Sequence, residues 1–247
     1  EFRRVLFRSA QADETNDKVR FKYADVYEKV TSGTKGRASS VFTSLAMYWQ
    51  LHLAYDNGYN YKTYEDYSEQ FDNLFFARVD AYARNTSIAP GGLSLAGADT
   101  DNKFMRLSCA AAGKNLLTFF EKWGMTPNED TIVYASQFPQ ETRNLCYITD
   151  EARVYRIEGG GDVASGSTVN VELQNETNSK QVTLKLSNTA ADQSAMLGYE
   201  IYRNGQVIGF APAEDGETLF TDTIATVNNR VFTYEVVGYD KLLNTTE

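Results

Sequence analysis

The spacing of apolar residues changes once along the chain, at the glycine- and serine-rich segment 158–167 (EGGGDVASGS). Before it, apolar residues recur in steps of three and four, as in helices, and after it they alternate with a period of two, as in strands. The sequence therefore predicts a multidomain, α + all-β chain, with a mainly helical domain at residues 10–157 and an antiparallel β-sandwich at 168–247. Because a Gly/Ser-rich stretch packs few side chains, we expect residues 158–167 to be an interdomain linker.

The longest apolar-rich stretch runs from Ser39 to Asn57 and contains the only histidine of the chain, His52. No Gly or Pro interrupts it before Gly58, so it predicts a buried helix, with Ser39 or Ser40 as the cap. The residues that recur at helical spacing are Val41, Leu45, Tyr48, Trp49 and His52. Similar spacing predicts further helices at Asp17–Val30, between Tyr59 and Asn85, after Asp101, and at Lys114–Trp123.

Capping residues indicate where several helices begin. Asp101 fits the N-cap of the helix after it, because its carboxylate can accept backbone N–H bonds. The motif TPNE, Thr126 to Glu129, predicts a capping box with Thr126 as the cap and a helix that reaches about Gln137. Thr149 predicts the cap of a last helical turn.

Strand signals dominate after residue 168. Asn204-Gly205 lies between two alternating runs and predicts a type I′ hairpin, in which both central residues need positive φ. Asn144–Ile148, further upstream, predicts one short strand. The segments that predict the sandwich are TVNVELQ, QVTLKLS, GYEIYRNGQVIGF, TLFTDTI and RVFTYEVVGYD.

Composition argues against two classes of partner. The net charge is −9, whereas nucleic acids and anionic membranes require a basic surface. The sequence also contains no run of about 18 apolar residues, so it predicts no membrane span.

Histidine-based catalysis would have to use His52, because the chain has 1 histidine. Its neighbours Leu51 and Leu53 favour a packed, hydrogen-bonded side chain over a metal ligand or a catalytic base. The sequence has no G-x-S-x-G nucleophile elbow, and its 33 acidic residues are too many for one pair to be singled out for glycosidase chemistry.

The remaining candidate residues have competing interpretations. Cys109 and Cys146 are expected to be buried thiols, with a disulfide between them left open. Asp99 and Asp101 could be taken for calcium ligands, but the Gly and Glu of an EF-hand loop are missing. For the tyrosines, helix packing is favoured over stacking on sugar rings. These tyrosines are Tyr59, Tyr61, Tyr64 and Tyr67. We assign no catalytic or metal-binding residue, and the substrate-binding residues are unknown.

Four runs carry a family resemblance: MYWQLHLAYDN, FFARVDAYARN, DNKFMRLSCAAAGKNLLTFFEKWGMTPNE and ITDEARVYR. They resemble the distal, helical part of the enhancin-like, mucin-degrading zinc metallopeptidases of peptidase family M60, over roughly residues 17–157. The resemblance implies a zinc-bound water, activated by a glutamate, that attacks a peptide carbonyl. The family's metal-binding HExxH helix lies before this region, and the motif is absent here. We therefore expect zinc in the full-length protein and none in this chain, which we predict to be inactive alone.

A second resemblance covers the strands. GYEIYRNGQVIG, FTDT and FTYEVVGYDKLLN resemble a fibronectin type III module of the kind appended to secreted bacterial hydrolases. This resemblance implies a sandwich with Tyr234 as its corner tyrosine, and we expect its last strand to be missing after LLNTTE. Residues 1–9 (EFRRVLFRS) resemble a translated sequencing adapter and are left out of the fold prediction.

Together the resemblances lead to one hypothesis of function and one alternative. The first is a fragment of a secreted zinc metallopeptidase acting on glycosylated proteins such as mucins, with the helical subdomain beside the catalytic cleft and the β-sandwich as a spacer. The alternative is a non-catalytic extracellular module that binds a glycan or a protein. Both imply an extracellular or cell-surface location, and the sequence leaves the oligomeric state open.

Overall fold

A computed structural model of the chain describes residues 17–32, 41–56, 74–174, 180–224 and 231–246. Its residues group into two compact units, 1–146 and 147–247. The division precedes the predicted linker at 158–167, and the second unit includes the ring of Tyr147, stacked on Phe210 with 3.9 Å between ring centroids. The limits of the predicted domains stay a prediction.

The described helices of the first unit begin and end close to their predicted positions. Two of them confirm the predictions for Asp17–Val30 and Ser39–Asn57, although Ser39, Ser40 and Tyr59–Tyr67 lie outside the described residues. The helices are α1 (Asp17–Thr31), α2 (Val41–Tyr55), α3 (Phe75–Arg84), α4 (Thr100–Ala112), α5 (Leu117–Lys122) and α6 (Glu129–Ala135).

Helix α2 is buried, as predicted, but the most buried side chains are not those of the predicted stripe. Met47, Leu51 and Leu53 are at most 1% exposed, whereas Tyr48 and Trp49 are only half-buried. A helix that is apolar on most of its surface can pack through several faces. Helical spacing alone therefore did not identify the face of α2 that is most buried.

The predicted cap of α4 is wrong by two residues. The N-cap is Asp99, whose Oδ1 accepts the backbone N–H of Asn102 at 2.8 Å, and Asp101 lies in the first turn. Either carboxylate suits the positive end of the helix dipole. The backbone decides between the two residues, because Asp99 has the extended conformation that an N-cap requires, whereas Asp101 is already helical.

The predicted capping box at Thr126 is also wrong. The N-cap of α6 is Asn128, whose Oδ1 accepts the N–H of Thr131 at 2.9 Å. The backbone N–H of Asn128 donates to Asn102 Oδ1 at 2.9 Å, and its side chain accepts from Arg106. These contacts with α4 hold Asn128 in place, so tertiary structure moves the start of the helix two residues along the chain.

The short strand predicted at Asn144–Ile148 is wrong as well, because Leu145–Tyr147 forms a 3₁₀ turn. Leu145 to Ile148 are all at most 4% exposed. A short apolar run indicates burial without distinguishing a strand from a helical turn. The cap predicted at Thr149 is confirmed: its Oγ1 accepts the N–H of Ala152 at 3.3 Å and begins helix α7 (Asp150–Ile157).

Each segment predicted as a strand after residue 168 contains a strand of one of two antiparallel sheets, although in RVFTYEVVGYD the strand begins only at Tyr234. One sheet has the order β1-β2-β5 and the other β4-β3-β6. Asn204 and Gly205 have φ values of 51° and 75°, which confirms the predicted hairpin between β3 and β4. The strands are β1 (Val169–Leu173), β2 (Gln181–Asn188), β3 (Met196–Arg203), β4 (Gln206–Pro212), β5 (Thr218–Thr223) and β6 (Tyr234–Asp240).

The two sheets share one apolar core. Leu184 and Leu186 of the first sheet pack in one buried cluster with Tyr199 and Ile201 of the second. A fibronectin type III identity is not established by this strand order and stays a prediction. The hydroxyl of Tyr234 donates to the carboxylate of Asp222 at 2.7 Å, whereas a corner tyrosine bonds to the backbone.

Candidate functional site

The most conspicuous pair of catalytic residue types in the first unit is His52 and Asp56, one helical turn apart at the end of α2. His52 is 7% exposed and Asp56 4% exposed. His52 Nδ1 contacts Asp56 Oδ2, and the other oxygen of Asp56 accepts the backbone N–H of Phe75 at 2.5 Å. The His52 ring lies against Trp49, with 4.6 Å between ring centroids. The pair thus joins the end of α2 to the first residue of α3, which agrees with the predicted packed role of His52.

The two cysteines are not suited to be the nucleophile of a catalytic triad with His52. Cys109 and Cys146 are both fully buried thiols rather than a disulfide. Burial raises the pKa of Cys109 to about 11, so its thiol is protonated near neutral pH and is a poor nucleophile. The structure therefore supports the prediction of buried thiols.

A cluster that sequence reasoning missed consists of Tyr55, Glu141 and Arg143. Tyr55 donates to Glu141 Oε2 at 2.5 Å, and Arg143 binds both oxygens of the same carboxylate at 2.9 and 2.7 Å. Burial alone would raise the pKa of Glu141, but hydrogen bonds from Arg143 and Tyr55 outweigh it and lower that pKa to about 2. Burial and the bond to Glu141 raise the pKa of Tyr55 above its ordinary value. The cluster is a charged tie between α2 and the segment after α6.

A second missed contact is the buried amide of Gln50. Its Nε2 donates to the carbonyl of Cys146 at 2.7 Å, and its Oε1 accepts from Trp123 Nε1 at 3.1 Å. Gln50 is 0% exposed. Because both ends of the amide are satisfied, its burial carries no hydrogen-bonding penalty, and the residue anchors the first unit rather than facing a ligand.

Helix α3, the described part of the predicted tyrosine-rich region, packs against the core of the first unit. Val79 and Tyr82 of α3 pack against a buried cluster that includes Leu93, Leu107 and Tyr134. This supports the packing interpretation for α3, whereas Tyr59–Tyr67 lie outside the described residues.

The second unit contains its own buried carboxylate, Glu200 on β3, which is 2% exposed. It accepts hydrogen bonds from the hydroxyls of Tyr147, Tyr202 and Tyr239, the last at 3.2 Å. Burial, followed by the bond to Glu200, raises the pKa of Tyr202. Three phenol hydroxyls satisfy the hydrogen-bonding capacity of one buried carboxylate, so the cluster is suited to holding the second unit together.

Within the described residues, no three His, Cys, Asp or Glu side chains are grouped so that they could hold a metal ion. Among the helices described, none has the length and apolar character needed to cross a membrane. Within the part of the chain that the structure describes, the candidate His52 is thus paired with Asp56, and no group of three metal-binding side chains includes the pair.

No protein-family model matches the chain, and no curated protein does. Its fold is similar to the M60 catalytic domain of ZmpC from Clostridium perfringens, whose structure contains the sialyl T antigen, with a TM-score of 0.67 and 24% identity over 98% of this chain and 43% of that chain. The ZmpB metallopeptidase from the same organism gives a TM-score of 0.65 and 20% identity over 98% and 43%. The catalytic module of its metalloprotease ZmpA gives 0.63 and 19% over 98% and 42%.

These similarities show that the chain has the fold found in M60 catalytic domains. The chain spans less than half the length of each of the three structures, at 42–43%. The aligned region takes in 98% of the chain, so it includes strands as well as helices.

Proposed function

We propose that this chain is the distal part of a longer, secreted zinc metallopeptidase that acts on glycosylated proteins such as mucins. The observation that carries the proposal is the fold similarity over 98% of the chain to the M60 catalytic domain of ZmpC, of which it covers 43%. In the longer protein the helical unit supports one side of the catalytic cleft, and the β-sheet unit serves as a spacer of the fibronectin type III kind.

The zinc that this family implies does not fit the residues of this chain. A catalytic zinc site needs about three protein ligands and a glutamate that activates the metal-bound water. The chain has 1 histidine. That histidine is buried on α2, where it contacts Asp56 and Trp49. The ligands must come from outside these residues, so we assign no chemical step to this chain.

The charge distribution indicates which unit is better suited to an anionic glycan. Residues 147–247 carry 15 acidic and 7 basic side chains, whereas residues 10–146, without the adapter-like segment, carry 17 and 14. An acidic surface repels sialylated or sulfated sugars at low salt. We therefore place any contact with such glycans on the first unit or on the rest of the longer protein, and not on the β-sheet unit.

The test compares this chain with the longer protein encoded at the same locus. We expect the chain to contain no stoichiometric zinc after dialysis and to leave a mucin glycoprotein intact. The longer protein should bind about one zinc and cleave the glycoprotein, because we expect it to contain an in-frame HExxH and a further Glu that together complete the zinc site. The His52→Gln variant of the longer protein, if it folds, should keep its zinc, since His52 is assigned a packing role.

Two results would overturn the proposal. One is about one zinc per chain in the 247-residue protein, lost in the His52→Gln variant. The other is a longer reading frame without HExxH whose product binds a glycan or a protein without cleaving it, which would favour the non-catalytic binding module.

A further inference from the structure

The glycine- and serine-rich segment 158–167 is anchored by a buried carboxylate of its own unit. Asp240, at the end of β6, is 0% exposed. Its Oδ2 accepts the backbone N–H groups of Val163 and Ala164 at 3.1 and 3.4 Å. The same carboxylate accepts from the N–H groups of Leu242 and Asn244, both at 2.9 Å, and from the Asn244 side-chain amide at 3.1 Å. Asp240 thus joins this segment to the turn after β6.

Side chains within the segment hold its backbone as well. Asp162 Oδ1 accepts the N–H groups of Ala164 and Ser165 at 3.1 and 2.9 Å. The hydroxyl of Ser167 donates to the carbonyl of Ala164 at 2.8 Å. Ala164 is 0% exposed and Ser167 3% exposed. A flexible linker would leave these groups to water, whereas here they are paired within the protein, and Ala164 and Ser167 are also buried.

A close approach to helix α7 explains one of the glycines. The backbone N–H of Gly160 donates to the carbonyl of Tyr155 at 2.8 Å, and the Tyr155 hydroxyl donates to the carbonyl of Gly161 at 2.9 Å. The tyrosine ring covers Gly160 so closely that an added Cβ would lie 2.3 Å from a ring carbon. The same addition at Gly161 meets no atom within 4 Å.

We propose that residues 158–167 form a fixed strap of the second unit, clamped by Tyr155 at residues 160–161 and by Asp240 at residues 163–164. The strap joins α7 to β1, and its composition reflects close packing and tight turns rather than flexibility. The second unit therefore behaves as one body from α7 to β6, and bending at residues 158–167 is not available to it. The proposal is independent of the proposed function.

Hydrogen exchange on the 247-residue chain tests the strap directly. The amides of Val163 and Ala164 should exchange more than about tenfold more slowly than in an unstructured peptide of the same sequence. The Asp240→Ala variant should lose this protection, because it removes Oδ2, the oxygen that accepts both N–H groups. The Asp215→Ala variant removes the same charge from an exposed turn and should keep the protection.

A pair of neighbouring glycines provides a second test that does not disturb Asp240. Gly160→Ala should displace the Tyr155 ring and make the strap sensitive to elastase, which cleaves after small residues such as Val163 and Ala164. Gly161→Ala should leave the strap resistant. Val163 and Ala164 amides that exchange at the unstructured rate in the unaltered chain would overturn the proposal. Elastase cleavage at residues 158–167 that is equally fast in the unaltered chain and both glycine variants would do the same.

Discussion

Folding lowers the pKa of Glu141 far enough for the change to be tested through the pH dependence of stability. Its pKa in the folded chain is about 2, against about 4.3 for an unperturbed glutamate. Because the folded pKa is the lower one, the stabilisation is fully present above about pH 4.3 and is lost as the pH falls towards 2. Arg143 is partly exposed, at 33% of its side chain, so we discount the effect to about 2 kcal/mol of unfolding free energy.

The prediction for Glu141 is that the Glu141→Gln variant loses part of the acid dependence of stability. Urea unfolding between pH 6 and 3 should show the unaltered chain losing more stability than the variant, since the variant has no carboxylate to protonate. Glu121→Gln changes an exposed glutamate of the same unit and should follow the unaltered chain. Identical pH profiles for the Glu141→Gln variant and the unaltered chain would contradict the assigned pKa.

Gly198 on β3 is required by the close approach of two neighbours. An added Cβ would lie 2.5 Å from the backbone oxygen of Ala211 and 2.6 Å from the Phe210 ring. We expect Gly198→Ala to destabilise the second unit by about 1–3 kcal/mol, because the backbone atom of β4 cannot move aside. Thermal unfolding followed by near-UV circular dichroism of the tyrosines measures the loss. Gly161→Ala is the control, and an equal melting temperature for the two variants would disprove the steric argument.

At the scale of elements, the start of α6 allows a comparison of two residues. Asn128 is the N-cap in the structure, whereas Thr126 is the cap that the sequence predicted. Asn128→Ala removes the acceptor for the Thr131 N–H and a partner of Arg106, so we expect a loss of about 1–2 kcal/mol. Thr126→Ala alters an exposed residue and should change stability by less than about 0.5 kcal/mol. Chemical denaturation of both variants measures the difference in unfolding free energy. A larger loss in Thr126→Ala than in Asn128→Ala would favour Thr126 as the cap.

At the scale of the whole molecule, two compact units with separate cores predict unfolding that is not two-state. The 2 tryptophans, Trp49 and Trp123, both belong to the first unit, so their fluorescence follows that unit alone. Ile201→Ala, at a position 0% exposed in the second unit, should cost about 2–5 kcal/mol there. Far-UV circular dichroism should detect this loss while the fluorescence midpoint stays unchanged. Equal shifts in both signals would show one cooperative unit.

Local patterns determined the type of most elements from the sequence alone. Alternation predicted the strands after residue 168 and Asn204-Gly205 predicted their hairpin, because a period of two and a positive φ at adjacent residues are properties of a few neighbouring residues. The same holds for α1, α2 and the cap at Thr149. The family resemblance also came from sequence runs, and the fold similarity to M60 catalytic domains supports it at the level of fold.

Only the tertiary structure decided which residues meet. Asn102 and Arg106 selected Asn128 as a cap over Thr126, although both residues suit the role locally. Gln50 and Cys146 are 96 positions apart and Tyr55 and Glu141 are 86 apart, so no short-range pattern could pair them. The glycine- and serine-rich segment is ordered by Asp240, 77 positions after Val163. Composition reports the freedom of a segment in isolation, whereas a buried carboxylate brought close by folding removes that freedom.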